Sequence, residues 1–183
     1  MEDRASIALE AMGDAVRAIA VERSMEPVLQ RIVNASRRLA GARYAALGVP
    51  DGEGNFAQFI TDGMSEELIA AMGPLPRTHG MLGAMLDADH PFRTADIKQD
   101  PRFRGWWPRA HPQMSSFLGV PILSPNGVLG ALYLTDKEGA PEFTEEDERL
   151  IQMLAAHAAI AIENARLYER GRELYAVREG WVE

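Results

Sequence analysis

The strongest constraint on this chain's fold lies between Ser116 and Thr135, where two apolar runs, 116–123 and 128–135, flank the tetrapeptide Ser124-Pro-Asn-Gly. Pro125 suits the second position of a tight turn and Gly127 its last, so the runs are expected to pair as an antiparallel hairpin. With Pro125 and Asn126 at the tip, Leu118 falls opposite Tyr133. Alternation then puts Leu118, Val120, Ile122, Leu129, Ala131 and Tyr133 on one face, where the Tyr133 hydroxyl is the sole polar group. A second hairpin is expected upstream, because the short apolar runs 44–49 and 56–61 are joined by Asp51-Gly-Glu-Gly-Asn, which is turn chemistry.

Helices are expected around these hairpins. Residues 5–22 carry Ile7, Met12, Val16, Ile19 and Ala20 at helical spacing with charges between them. Ser24 is placed to cap a second helix containing Val28, Leu29, Ile32, Val33 and Leu39, and Gly41 to stop it. Residues 65–72 and 81–86 read as helical. From Asp96 to Pro112 the prolines 101, 108 and 112, with Gly105, Trp106 and Trp107, leave no period, so a long loop is expected. Thr144-Glu-Glu-Asp opens a final helix whose stripe is Leu150, Leu154, Ala158, Ala161, Ala165 and Tyr168. Running to residue 178, it would span about 50 Å, more than a domain of this size buries along its core. Part of it should therefore pack on something else, and the first and last helices together offer the parts of a homodimer bundle. The order of elements describes an α+β fold, an antiparallel sheet with helices on one face. Residues 1–23 form an N-terminal amphipathic helix, 24–170 one domain and 171–183 a helical extension.

Composition narrows the function. Lys and Arg number 19 against 27 Asp and Glu, for a net charge of −8, and no basic cluster offers a track for a phosphate backbone, so nucleic acid is excluded as a direct partner. The chain has no cysteine, which excludes disulfides, thiolate metal sites, iron–sulfur clusters and thiol nucleophiles. No apolar run approaches the roughly 18–20 residues of a membrane span, and the first residues do not resemble a secretory signal, so a cytoplasmic location is expected.

Two side chains stand out against this background. His111 and Tyr133 bracket a largely apolar segment, His111-Pro-Gln-Met-Ser-Ser-Phe-Leu-Gly-Val-Pro-Ile and onward. A neutral imidazole can ligate a metal and a phenol can donate one hydrogen bond. Pro112 restrains His111 to extended conformations, which suits a ligand. Both residues also have ordinary readings, a hydrogen-bonded surface histidine and a core tyrosine satisfied elsewhere. His79 and His90 sit in polar segments, and His157, within the alanine-rich helix, is the rival ligand. Met81, Met85 and Met114 can line a cavity or simply fill core.

Four segments carry a resemblance: Gly41-Ala-Arg-Tyr-Ala-Ala-Leu-Gly-Val, Phe117-Leu-Gly-Val-Pro-Ile, Gly130-Ala-Leu-Tyr-Leu-Thr-Asp-Lys, and Phe143-Thr-Glu-Glu-Asp-Glu-Arg-Leu with the helix that follows it. Over residues 24–170 the chain resembles a GAF domain, an antiparallel sheet with helices packed on one face and a ligand pocket on the other. Within that superfamily it is most similar to the first GAF domain of the actinobacterial DevS/DosT-type dormancy sensor kinases. The resemblance implies b-type haem with His111 as iron ligand and Tyr133 on the distal side. Leu118, Val120, Ile122, Ala131, Met81, Met85, Met114 and Phe59 would surround it. It further implies a diatomic gas (O2, NO or CO) as ligand, and a kinase output module as partner. The chain departs from the pattern in a loop about one residue longer before His111, in the Trp pair and at Gln58, and it carries no kinase region of its own. The alternatives are a haem-free small-molecule or dimerisation module, and a haem enzyme acting on peroxide or nitrogen oxides. For the latter no distal acid–base pair is evident.

Overall fold

The computed structural model describes residues 25–103 and 109–180, together with residues 6, 9, 10 and 13. Those four are helical; the rest of the expected N-terminal helix, and its neighbour Ser24, lie outside the described residues. Helix α1 (Met25–Ala40) buries Val28, Leu29, Ile32, Val33 and Leu39 along one face, and Gly41, at φ 60°, ends it in a conformation that side chains disfavour. Strands β1 (Ala42–Pro50) and β2 (Phe56–Asp62) form the first hairpin. Its loop is closed by Asp51, whose Oδ1 accepts from the backbone N–H of Glu53 (2.7 Å) and of Asn55 (3.1 Å).

Short helices α2 (Glu66–Met72) and α3 (Gly80–Leu86) follow, then β3 (Phe92–Thr94), a 3-10 turn at Ile97–Gln99, β4 (Phe117–Ser124), β5 (Gly127–Lys137) and the long helix α4 (Glu145–Glu179). All pairings are antiparallel, in the order β2-β1-β5-β4-β3, which makes the fold α+β as expected. Strand β3 was not expected: three residues are too few to show a period, and it exists because β4 offers Gly119, Leu118 and Phe117 as partners. The 3-10 turn likewise interrupts the expected loop, where the Asp96 carboxylate accepts from the Lys98 N–H. Gly105, Trp106, Trp107 and Pro108 lie outside the described residues.

The second hairpin has its tip at Pro125-Asn126, with Ser124 paired to Gly127, but its register differs from the expected one. A bulge between Ile122 and Leu123 pairs Leu123 with Val128 and Ile122 with Gly130, so Leu129 is an extra residue on β5. Beyond the bulge Leu118 faces Leu134, and Tyr133 faces Gly119. One inserted residue exchanges the faces of everything beyond it. Leu118, Val120 and Ile122 are thus corrected from the Tyr133 face to the opposite one, where they join Leu132, Leu134, Ala45, Leu47, Val49 and Ile60 beneath α1 and α4.

Helix α4 starts with the expected cap: the Asp147 N–H donates to Thr144 Oγ1 (3.1 Å) and the Thr144 N–H to Asp147 Oδ2 (2.8 Å). The Lys137 ammonium donates to Asp147 (3.0 Å) and to the Ala40 carbonyl (2.7 Å), binding the end of α1, strand β5 and the start of α4 together. From the expected stripe Leu154, Ala158, Ala161 and Ala165 are buried, Leu150 is half-buried and Tyr168 is exposed. Past Ala165 the helix leaves the core, and Leu167, Leu174, Tyr175 and Val177 are exposed. Among the described residues no helix is long and apolar enough to cross a membrane.

Candidate functional site

The face of the sheet away from α1 and α4 is lowest at its centre. Strand pairing aligns Gly119, Tyr133, Ala46 and Thr61 in one row across four strands, and Pro121, Ala131, Gly48 and Phe59 in the next. Glycine and alanine leave a shallow floor. Aromatic rings border it in sequence: Phe56 and Phe59 (centroids 5.0 Å apart), Phe59 and Tyr133 (6.5 Å), Tyr133 and Phe117 (6.4 Å), Phe117 and Phe92 (6.3 Å).

Helix α3 lies over this floor and buries Met81 and Met85 against it. A Cβ built on Gly119 would overlap the Met85 sulfur, so the thioether fills the notch this glycine leaves. The Tyr133 hydroxyl donates to the Leu82 carbonyl at 2.8 Å, and burial pushes the phenol well above its ordinary pKa, keeping it a neutral donor. Two residues along on the same face, the buried Thr135 hydroxyl has no hydrogen-bond partner among the described residues.

His111 is half-buried on the strap that leads into β4. Its Nδ1 lies 2.7 Å from the Pro112 carbonyl, which can only accept, so Nδ1 is the donor and the lone pair of the neutral ring is on Nε2. The strap is held to the sheet: the Ile97 N–H donates to the Ser115 carbonyl (2.8 Å), Lys98 Nζ to Gln113 Oε1 (2.9 Å) and the Ser115 N–H to Asp136 Oδ1 (2.7 Å). Ile97 belongs to the same apolar cluster as Tyr133. His157 is on α4, across the sheet from that cluster, which removes the rival ligand on position alone. His79 and His90 are exposed, and His90 pairs with Asp89 at 2.6 Å.

Of the residues expected around a haem, the structure gathers Tyr133, Ala131, Met81, Met85 and Phe59 into one cluster. Met114 is buried in the strap, outside that cluster. Leu118, Val120 and Ile122 are on the other side of the sheet. Ala46, Phe117, Gly119 and the Leu82 carbonyl were not expected there. Phe117 and Gly119 would have followed from alternation had the bulge been placed and Ala46 needs the pairing of β1 with β5, whereas a backbone carbonyl leaves no mark in sequence.

For a haem group the face offers an apolar floor of small residues, ring edges beside it and two hydroxyls, of which that of Thr135 has no partner among the described residues, while the imidazole that would hold it, with Nδ1 engaged by a carbonyl, is on the strap leading into β4. The space over Gly119 suits it only when Met85 stands elsewhere. Among the described residues no group of three or more His, Asp or Glu side chains is arranged to hold a bare metal ion.

Comparison with known proteins places this arrangement. The family model described as GAF domain matches residues 22–163. The chain is 30% identical over 104 residues to the dual 3',5'-cyclic-AMP and -GMP phosphodiesterase 11A of Takifugu rubripes, a match covering 55% of this chain and 12% of that protein's length. Among solved structures it is similar to the GAF domain of a phosphoenolpyruvate-protein phosphotransferase from Coxiella burnetii, with TM-score 0.75 and 22% identity over 92% of this chain and 99% of that one. It is also similar to free methionine-R-sulfoxide reductase from Neisseria meningitidis in complex with its substrate, with TM-score 0.71 and 16% identity over 92% and 95% of the two chains. The GAF domain of a sensor histidine kinase from Pseudomonas syringae pv. tomato gives TM-score 0.58 and 17% identity over 90% and 91%.

Proposed function

This chain belongs to the GAF domain family, and on that footing we propose that it is a cytoplasmic sensor module for b-type haem on the Tyr133 face of its sheet, with His111 as the residue that would hold the iron through Nε2. The observation that carries this reading is the Nδ1 contact to the Pro112 carbonyl: metal-ligating imidazoles use the second nitrogen in just this way, which fixes the ring and strengthens the ligating one. When bound, the group would supply an iron able to take O2, NO or CO.

The chain's own residues do the rest. Ala131, Phe59, Met81 and Met85 exclude water from the face. Tyr133, held neutral by burial, keeps one proton, given to the Leu82 carbonyl in this structure, and once that bond opens a polar diatomic draws on such a donor more than CO does, by about 1–3 kcal/mol. Strand β5 carries Tyr133 and ends at Lys137, whose ammonium grips Asp147 at the start of α4, so a displacement of β5 reaches that helix directly. Met153, Ile160, Leu167 and Leu174 recur every seven residues on α4 and are exposed, which supports relay through a second copy or a kinase output module.

The competing reading is a haem-free ligand or dimerisation module, and the closure of the face by Met85 and Leu82 favours it. Titration with hemin separates the two. A Soret band saturating at one equivalent, and lost in His111→Ala, is expected; a protein that stays colourless removes the haem assignment, and a His111→Ala variant with an unaltered spectrum removes His111 as the ligand.

A further inference from the structure

Three features of the Tyr133 face belong together. Gly119 leaves a notch in the floor, and Met85 occupies it: where a Cβ would stand, the nearest atoms are the Met85 sulfur and Cγ, followed by the Phe117 ring. The polar anchor of the face, the Tyr133 hydroxyl, is spent on a backbone carbonyl of the same helix, one turn from Met85. The Thr135 hydroxyl, on that face as well, is buried with no hydrogen-bond partner among the described residues. A face that served only as core would not leave an orphan hydroxyl, which is costly to bury.

We propose that helix α3 is a removable plug: Met85 keeps the Gly119 notch filled and the Leu82 carbonyl keeps the Tyr133 hydroxyl engaged until a flat, apolar ligand displaces both in one movement. This rests on the reading of the Tyr133 face as the ligand site.

The helix is built for such a movement. It has only seven residues, its N-cap residue His79 makes no side-chain capping bond, and a helix so short has no stability of its own. What holds it is Met81 and Met85, the partly buried Leu82, Ala84 and Leu86 packed on the same cluster, and the Tyr133 bond. Methionine suits the role, since an unbranched side chain with three rotatable bonds can leave a notch that a branched one would block. The other face of the sheet, with α1 and α4, makes no use of α3, so the plug can open without loosening the core that holds the strands. The plug also makes occupancy legible. Ligand binding frees a helix that was fixed and engages a hydroxyl that was hidden, and the apparent affinity is lowered by the fraction of time the plug stays shut.

The test uses the full chain labelled at methionine methyls, with hemin as probe. On hemin binding the Met85 methyl resonance, assigned from Met85→Ala, should move. Backbone amides of residues 82–86 should exchange at least about tenfold faster while those of β1 and β5 keep their protection, and Met85→Ala should take up hemin about tenfold faster than the wild type. A one-to-one Soret complex with the Met85 methyl and the α3 amides unchanged overturns the plug and leaves the haem reading intact, as do equal uptake rates. If the wild type takes up no hemin, the haem reading fails and the plug is judged separately with benzene. Benzene should raise the Tm of Met85→Ala, or of Met85→Val where the alanine variant does not fold, and leave the wild type unchanged; no difference between them overturns it.

Discussion

The two faces of this five-stranded sheet are made of different materials. Towards α1 and α4 the strands present Leu118, Val120, Ile122, Leu132, Leu134, Leu47 and Ile60, branched aliphatics locked beneath a long helix pair. Towards α3 they present Gly119, Ala131, Ala46 and Gly48 interleaved with the rings of Tyr133, Phe117, Phe59 and Phe56, covered by seven residues of helix. Branched side chains lose little on being fixed and fill space permanently; thioethers and small residues fill it provisionally. The difference teaches that the sheet is anchored from one side and kept adaptable on the other, and that a single strand position decides which role a residue takes.

The comparison breaks first at Leu118. Leu118→Asp places an unpaired carboxylate among fully buried aliphatics, and no cooperative urea transition is expected. Leu123→Asp, five residues along the same strand but 45% exposed, should change stability by no more than about 0.5 kcal/mol. If Leu118→Asp folds and alters only ligand binding, the observed register is wrong.

Next in size is the ion pair that clamps the anchored side. Asp147 is fully buried and Lys137 nearly so, and Lys137→Met should cost about 3–5 kcal/mol in chemical denaturation because it strands the carboxylate. Burial pushes the Asp147 carboxyl up, but the Thr144 N–H and the Lys137 ammonium outweigh it and leave the group below the usual carboxylate range. A depressed folded-state value means the stabilisation is complete above the unfolded value of about 4 and is lost as pH falls through the folded one. Acid denaturation below about pH 4 should therefore be shallower in Lys137→Met than in the wild type.

How far the sequence disclosed this arrangement depends on what carried the signal. Helix α1 and its Gly41 stop, both hairpin loops and the Thr144 cap were legible because each is set by local chemistry within a few residues. The bulge at Leu123 was not, because counting back from Pro125-Asn126 cannot detect an extra residue at Leu129, and that single miss assigned Leu118, Val120 and Ile122 to the wrong face. Strand β3 escaped because only its pairing with β4 makes it a strand. That Tyr133, Ala131, Phe59, Met81 and Met85 share one apolar cluster agrees with the grouping expected from motif and residue type, while Gly119 and the Leu82 carbonyl act through an absent side chain and a backbone atom.

On the adaptable face, Tyr133→Phe leaves the Leu82 carbonyl without its donor and should cost about 1–3 kcal/mol of folding stability, less than the clamp. In the hemin-loaded, reduced protein the same change should shorten O2 retention about tenfold or more, with little effect on CO, followed by stopped-flow ligand displacement. Equal losses for the two gases would remove Tyr133 from the distal side.

The smallest effect on the fold is expected where neither face is involved. Met153, Ile160, Leu167 and Leu174 are 50%, 47%, 64% and 71% exposed at seven-residue intervals along α4, on the side turned from the domain's own core. An apolar seam of that period matches a second helix of the same kind, and Asn164, between Ile160 and Leu167, is the sort of polar residue that fixes register in a two-stranded pairing. Ile160→Lys with Leu167→Lys should alter the chain's own packing by no more than about 0.5 kcal/mol per site, since both side chains already face outward. In sedimentation velocity the wild type should run as a dimer at micromolar concentration and the double variant as a monomer, with α3 exchange rates identical in both. A wild type that stays monomeric to the highest soluble concentration would assign the seam to another partner, and a double variant with altered α3 exchange would show that the two faces are not independent.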